Sequence, residues 1–228
     1  MTKKTAILIF SNSAKEDAKR KSFADSQLFE TLTNETINKV KKTGLPYFHF
    51  TEAQQEGTSF GARFSHAIQT VFDKGFTNII SIGNDTPHLK TKHLNDANQK
   101  LNNNQLVFGP SKDGGFYLMG LNKALFNTKR FSQLPWQTSA LKTTTLQLLS
   151  VNHISFSLLE TLVDIDSASD ISSILNSYKT ISKAVKTILL QLCISAKAIL
   201  LYTAIVIGFT INHTLFNKGS PQLVSIKN

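Results

Sequence analysis

Short runs rich in apolar and branched residues punctuate this chain, and the stretches between them repeat at helical spacing. Thr5 to Phe10, Thr77 to Ile82 and Leu106 to Phe108 are too short for helices and lack the polar alternation of a half-wet sheet. They therefore read as strands covered on both faces, with a further short strand at Tyr47 to Phe50. Between them, Leu28, Leu32, Thr36 and Val40 recur at helical intervals. Behind Ser59 as a cap, Phe60, Phe64, Ala67, Ile68, Val71 and Phe72 form a single apolar face that Gly75 closes. Another helix is expected from about Thr91 to Leu101. Strands alternating with helices predict an α/β, three-layer domain with a mostly parallel sheet. The polar segment from Ser11 to Asp25 is expected to be a loop, and Gly114 to Gly120 a turn entering a strand. A helix is expected after Pro135 through Leu149, extended segments at Ile154 to Leu159 and Val163 to Ile165, and a final helix capped by Ser167.

The charge distribution divides the chain. All 15 acidic residues lie between Glu16 and Asp170, while six lysines and no acids follow. The overall +10 thus comprises a modest excess on the body, 19 basic against 15 acidic residues, and a basic extension. A nucleic-acid reader carries its basic face on the folded unit, so no nucleic-acid partner is expected. The one cysteine, Cys193, excludes an internal disulfide framework and a thiolate-rich zinc site. The opening MTKKTAILIF is broken by Ser11, Asn12 and Ser13 before a signal-peptide core develops, and is read as the first strand. The expected organisation is a domain over residues 1–178 and a basic, apolar extension over 179–228. The stretch Ile188 to Ile211 reaches spanning length only with a buried lysine, and Ala198 to Phe209 falls short of the ~20 residues required. Docking on a membrane surface, packing within the protein or an oligomer, and a poorly ordered extension are the alternatives.

Open α/β sheets hold ligands beyond the carboxyl ends of their strands, which draws attention to Gly83-Asn84-Asp85-Thr86-Pro87. Asp85 can bind Mg²⁺ or Mn²⁺ beside a diphosphate, with Gly83 allowing close approach, or it can be a solvated turn residue. Gly109-Pro110-Ser111-Lys112-Asp113-Gly114-Gly115 joins charged groups to paired glycines. Lys112 can meet phosphate and Asp113 a sugar hydroxyl or the ion, yet a plain hairpin also uses Asp-Gly. In Asp164-Ile165-Asp166, period two puts both carboxylates on one face of an extended segment, where one can complete a metal site with Asp85. Asp166 and Ser167 equally suit a helix start. Lys19, Arg20 and Lys21 can grip phosphates or form a charged surface. Arg63 near a helix start and Trp136 beside an acceptor pocket are further candidates, each with a packing or solvent role as the alternative. The histidines show no paired ligand spacing, and there is no nucleophile elbow, phosphate-binding Walker loop or dinucleotide fingerprint.

Taken in order, the loop at Asp85, GPSKDGGFYLMGL from Gly109 to Leu121, LPWQTS at Leu134 to Ser139 and DIDS at Asp164 to Ser167 resemble an uncharacterised bacterial family. That family has a glycosyltransferase-A-like nucleotide-diphospho-sugar transferase fold, related to molybdenum-cofactor and phospholactate guanylyltransferases. The resemblance covers about residues 5 to 176 and implies a nucleotide-binding half and an acceptor-binding half. It implies that Asp85 and Asp166 hold Mg or Mn, that Asp113 orients or deprotonates the acceptor, and that Gly114 and Gly115 shape the substrate site. It also keeps Arg63 as a nucleotide or acceptor contact, through Gln55-Glu56-Gly57 and Gly61-Ala62-Arg63. The first loop departs from the family, which carries a proline- and glycine-containing segment ending in Lys-Thr-Arg-Leu. Here Ser13 to Phe23 stands instead, with Lys19 or Arg20 as candidates for the missing cation.

The expected function is a metal-dependent transferase using a nucleotide-activated sugar and a small-molecule or lipid acceptor. A nucleotidyltransferase consuming a nucleoside triphosphate and releasing pyrophosphate is the alternative, and a non-catalytic nucleotide-sugar-binding or scaffold protein is another. The expected location is cytoplasmic, with the inner face of the cell membrane as a candidate surface.

Overall fold

The computed structural model describes residues 4–194, and the expectations for the apolar stretch beyond them fall outside the described residues. A six-stranded sheet forms its centre, built from β1 (Thr5–Phe10), β2 (Tyr47–Phe50), β3 (Asn78–Ile82), β4 (Leu106–Pro110), β5 (Phe116–Asn122) and β6 (Phe156–Leu158). The strand order is β2-β1-β3-β5-β4-β6. β5 runs antiparallel to β3 and β4, whereas the other neighbours pair in parallel. The result is a mixed, mostly parallel sheet in an α/β, three-layer domain. The antiparallel strand follows from the Asp113-Gly114-Gly115 turn, which is too short for a crossover and returns β5 alongside β4.

Period-two alternation sends successive strand residues to opposite layers. Ala6, Leu8, Ile79, Phe108 and Met119 face a core closed by Phe64, Ile68, Val71 and Phe72 of α3 (Phe60–Asp73). Ile7, Ile9, Ile80, Val107 and Leu118 meet Leu94, Ala97 and Leu101 of α4 (Thr91–Asn102) on the other side. This two-sided burial explains why the central strands are mostly apolar rather than strictly alternating. Ser59 caps α3 through its hydroxyl, which accepts the Ala62 N–H at 3.1 Å.

A third apolar cluster joins Leu28, Phe29 and Leu32 of α2 (Ser26–Lys41) to Ile171 and Ile174 of α7 (Ala168–Leu175). Val185 and Leu189, from helical residues 183–194, are fully buried in it. The first part of the expected extension therefore shares a core with α2 and α7. The Ser182 hydroxyl adds a hydrogen bond to Glu35. Among the described residues, no helix is long and apolar enough to cross a membrane.

Several local expectations need correction. The segment expected as a loop contains α1 (Ala14–Arg20), capped by Ser13 and wedged onto the third cluster by Ala14 and Ala18. The helix expected after Pro135 begins only at Leu141, as α6 (Leu141–Val151), while a short α5 (Thr128–Ser132) lies before the proline. Val163 to Ile165 joins no strand; the preceding Leu162 makes an isolated parallel bridge to Ser111.

Candidate active site

A cavity of about 630 Å³ opens where β1, β3 and β4 end and β5 begins. Its position is the one open α/β sheets give to ligands, because the loops leaving parallel strands converge there. Ser11 and Asn12 leave β1, Gly83 to Asp85 leave β3, and Ser111 to Gly115 join β4 to β5. The remaining wall comes from Phe60 and Arg63 of α3, Trp136, and the segment bearing Asp164 and Asp166.

Lys21, at the end of α1, is the electrostatic centre of one end. Its Nζ lies 2.7 Å from Asp85 Oδ2, 2.8 Å from Asp166 Oδ1 and 2.7 Å from the carbonyl oxygen of Ile165. The Lys21 side chain is only 16% exposed, too little for the ammonium to be satisfied by water alone. Burial works against its charge, but Asp85 and Asp166 outweigh that effect and hold it protonated well above the ordinary lysine range. The Ile165 N–H also donates to the Asp85 carbonyl at 2.9 Å, tying the two acidic loops together by backbone.

The two aspartates of DIDS diverge. Asp166 turns to Lys21, while Asp164 accepts hydroxyl hydrogen bonds from Thr86 at 2.6 Å and Ser111. Burial, followed by the nearby Asp85 charge, pushes the Asp164 carboxyl up to about 7. Burial also raises Asp166, offset in part by the Lys21 charge. Asp17 is a further buried acid of this wall, raised by desolvation and accepting the side-chain amides of Asn12 at 2.8 Å and Asn84 at 3.4 Å.

Of the residues singled out from sequence, Asp85, Asp113, Asp166, Arg20, Arg63, Gly83, Gly115 and Trp136 line the cavity. Lys19, Lys112 and Gly114 do not. Lys19 and Arg20 both pair with Glu16, at 3.4 and 2.8 Å, on the exposed side of α1. Arg63 has no ion-pair partner among the described residues. Asp113 Oδ1 accepts the Gly115 N–H at 2.9 Å, so it braces the hairpin while bordering the cavity. Gly114 has φ +96°, and a Cβ there would stand 2.4 Å from the Ser139 carbonyl oxygen; its role is to let the hairpin pack against that segment. Trp136 packs on Phe60, Phe64 and Phe131 and donates its indole N–H to the Phe131 carbonyl at 2.8 Å. It is a packed wall with its polar edge already engaged.

Sequence reasoning missed the central pairing of Lys21, the polar seam through Asp17 and Asn84, and the Ser111–Asp164 contact. The available signal for Lys21 was its place at the end of Lys19-Arg20-Lys21, which cannot by itself say which cation turns inward.

Asp85 and Asp166 fit a hard divalent cation in chemistry, since two carboxylates from facing loops converge on one cationic position. Among the described residues no three His, Cys, Asp or Glu side chains form a ready ligand set. Asp164 is committed to hydroxyl donors. Such an ion would draw its remaining ligands from water and substrate, as Mg²⁺ commonly does.

The fold and the strand-end cavity define a protein of the glycosyltransferase-A-like nucleotide-diphospho-sugar transferase architecture. The chain belongs to the family described as uncharacterized protein conserved in bacteria (DUF2064), whose model matches residues 16–138. A candidate nucleotide-diphospho-sugar transferase from Desulfovibrio desulfuricans G20 has a TM-score of 0.67 at 19% identity, over 83% of this chain and 95% of that one. A 4-diphosphocytidyl-2C-methyl-D-erythritol synthase from Anaerococcus prevotii DSM 20548 gives 0.48 at 9% identity, over 86% of this chain and 96% of that one. Rv0371c from Mycobacterium tuberculosis H37Rv, in complex with manganese, gives 0.46 at 11% identity, over 77% of this chain and all (100%) of that one. At these two lower scores the likeness is one of outline. No curated protein matches the chain.

Proposed function

We propose that this protein is a metal-dependent transferase that takes a nucleotide-activated sugar and passes the sugar to a hydroxyl acceptor. The observation carrying the reading is the convergence of Asp85, Asp166 and Lys21 at one end of the strand-end cavity, with Arg63 and an aromatic wall also lining it. Fixed charges of both signs beside an aromatic wall suit a ligand with a diphosphate and a flat or ring-bearing body.

Asp85 and Asp166 would hold Mg²⁺ or Mn²⁺, which when bound supplies positive charge against the diphosphate. Arg63 adds a second positive group, and Phe60 and Trp136 supply an apolar wall. The acceptor hydroxyl attacks the anomeric carbon, the bond from that carbon to the diphosphate breaks, and the hydroxyl proton is lost. Asp113, bordering the cavity with one oxygen engaged by Gly115, would orient that hydroxyl or take its proton.

A product-resolved assay with a panel of nucleotide sugars, nucleoside triphosphates and acceptors, supplemented with Mg²⁺ or Mn²⁺, tests the reading. Transferred sugar with release of nucleoside diphosphate is expected. Pyrophosphate release coupled to nucleotide capture would replace it with nucleotidyl transfer, and binding without turnover across the panel would make the protein a binding module.

A further inference from the structure

We infer that the Lys21 ammonium is the resident cation of the Asp85–Asp166 site, and that a divalent ion binds there only by displacing it. The inference deepens the proposed metal dependence and rests on it.

Three contacts carry the argument. Lys21 Nζ reaches Asp85 Oδ2 at 2.7 Å, Asp166 Oδ1 at 2.8 Å and the Ile165 carbonyl at 2.7 Å, so one oxygen of each carboxylate and a backbone carbonyl converge on a single positive charge. A hard divalent ion bridging Asp85 and Asp166 would need a carboxylate oxygen from each at about 2.0–2.1 Å, which draws it into the space the ammonium fills. Two cations at that separation repel strongly, so the ion and the ammonium do not occupy the place between the carboxylates together. Asp164 takes no part in this pairing; its two oxygens accept the hydroxyls of Thr86 and Ser111 instead.

The lysine is also well placed to move. It follows α1 directly and lies at the junction with α2, on a four-carbon stem with several rotatable bonds. Withdrawing the ammonium costs the pair its contacts but does not break a strand or helix. In the absence of the divalent ion the arrangement is neutralised from within, which spares two facing carboxylates their mutual repulsion. The consequence is a site with deliberately weak affinity for the free ion, because each binding event must first break the internal pairing.

The direct measurement is Mn²⁺ binding to the full chain, followed by electron paramagnetic resonance and calorimetry. Lys21→Met should bind Mn²⁺ at least about tenfold more tightly than the unaltered protein, since loss of the partner leaves both carboxylates seeking a cation. Adding Asp85→Asn to Lys21→Met should abolish the gain. Equal or weaker binding by Lys21→Met, with measurable binding by the unaltered protein, overturns the inference and leaves metal dependence standing. If neither protein binds Mn²⁺, the metal reading itself falls and the inference with it. Should Lys21→Met fail to fold, crystals of the unaltered chain soaked in Mn²⁺ give the decision. Manganese between Asp85 and Asp166 with Lys21 Nζ moved away supports displacement, and manganese there with Lys21 still touching both carboxylates refutes it.

Discussion

Asp164 accepts the hydroxyl of Thr86 at 2.6 Å, and through this contact the loop after β3 is bound to the segment before α7. The carboxyl titrates near 3.8 when unperturbed and is pushed up to about 7 in the fold. Between those values the native state keeps a proton that the unfolded chain gives up. The stabilising contribution is therefore complete below about 3.8 and disappears as pH rises through 7. With EDTA present, stability from this group should fall steadily between roughly pH 5 and 8. Urea unfolding across that range should show the fall in the unaltered protein and a flatter profile in Asp164→Asn. Parallel profiles would remove Asp164 as its source.

Asp85→Ala should cost turnover far more than stability. The substitution takes one carboxylate from the proposed metal position, and a loss on the order of 10²-fold in kcat is expected. Lys21 retains Asp166 and the Ile165 carbonyl, and the backbone link from Ile165 to residue 85 survives, so the fold should persist. Circular dichroism and a product assay on the same preparation separate the two effects. Unchanged turnover would refute Asp85 as a metal-site residue.

Gly114→Ala should be among the more damaging small substitutions. Its positive φ and the clash of an added Cβ with the Ser139 carbonyl oxygen together predict a loss of about 2–4 kcal/mol, read as a fall in urea midpoint. Gly75→Ala serves as a comparison, since it shares a positive φ but has open space around the added carbon, and should cost less.

Cutting the chain after residue 178 should destabilise the body. Val185 and Leu189 are fully buried against α2 and α7, and their removal uncovers Leu28 and Leu32. A loss on the order of 3–6 kcal/mol follows from the burial of two branched side chains. A chain ending at residue 194, which keeps Val185 and Leu189, should have a higher thermal midpoint than one ending at 178. For fractionation experiments on the apolar extension, the longer version is consequently the appropriate reference. Matching midpoints for the two truncations would show that this packing contributes little.

The strands were legible because burial on both faces favours apolar residues on each, as in Ile79 and Ile80 packing into opposite layers. The α3 face and its Ser59 cap were legible for the same reason. α1 was not, because Ala14 to Arg20 has no apolar stripe; two alanines and a cap hold it in place. α5 was missed because Thr128 to Ser132 is a single turn anchored mainly by Phe131. At the site, the loop after β3 and the hairpin were found from their position after apolar runs. The inward choice of Lys21 over Lys19 and Arg20 depends on the rotation of α1, a tertiary property that three adjacent cations do not encode. The contrasting fates of Asp164 and Asp166 likewise depend on Thr86 and Ser111, which lie far away in sequence.

The ion pairs of Lys21 span nearly the whole body: its partners lie 64 and 145 positions further along the chain. During synthesis, then, the charged centre cannot assemble until the segment carrying Asp166 has left the ribosome, long after β1, β3 and α3 are available to collapse. A prematurely ended chain would hold most of a sheet yet no working cavity. Competence to bind ligand is thereby a late milestone of biosynthesis, and ligand capture would report completion of the body rather than mere compaction.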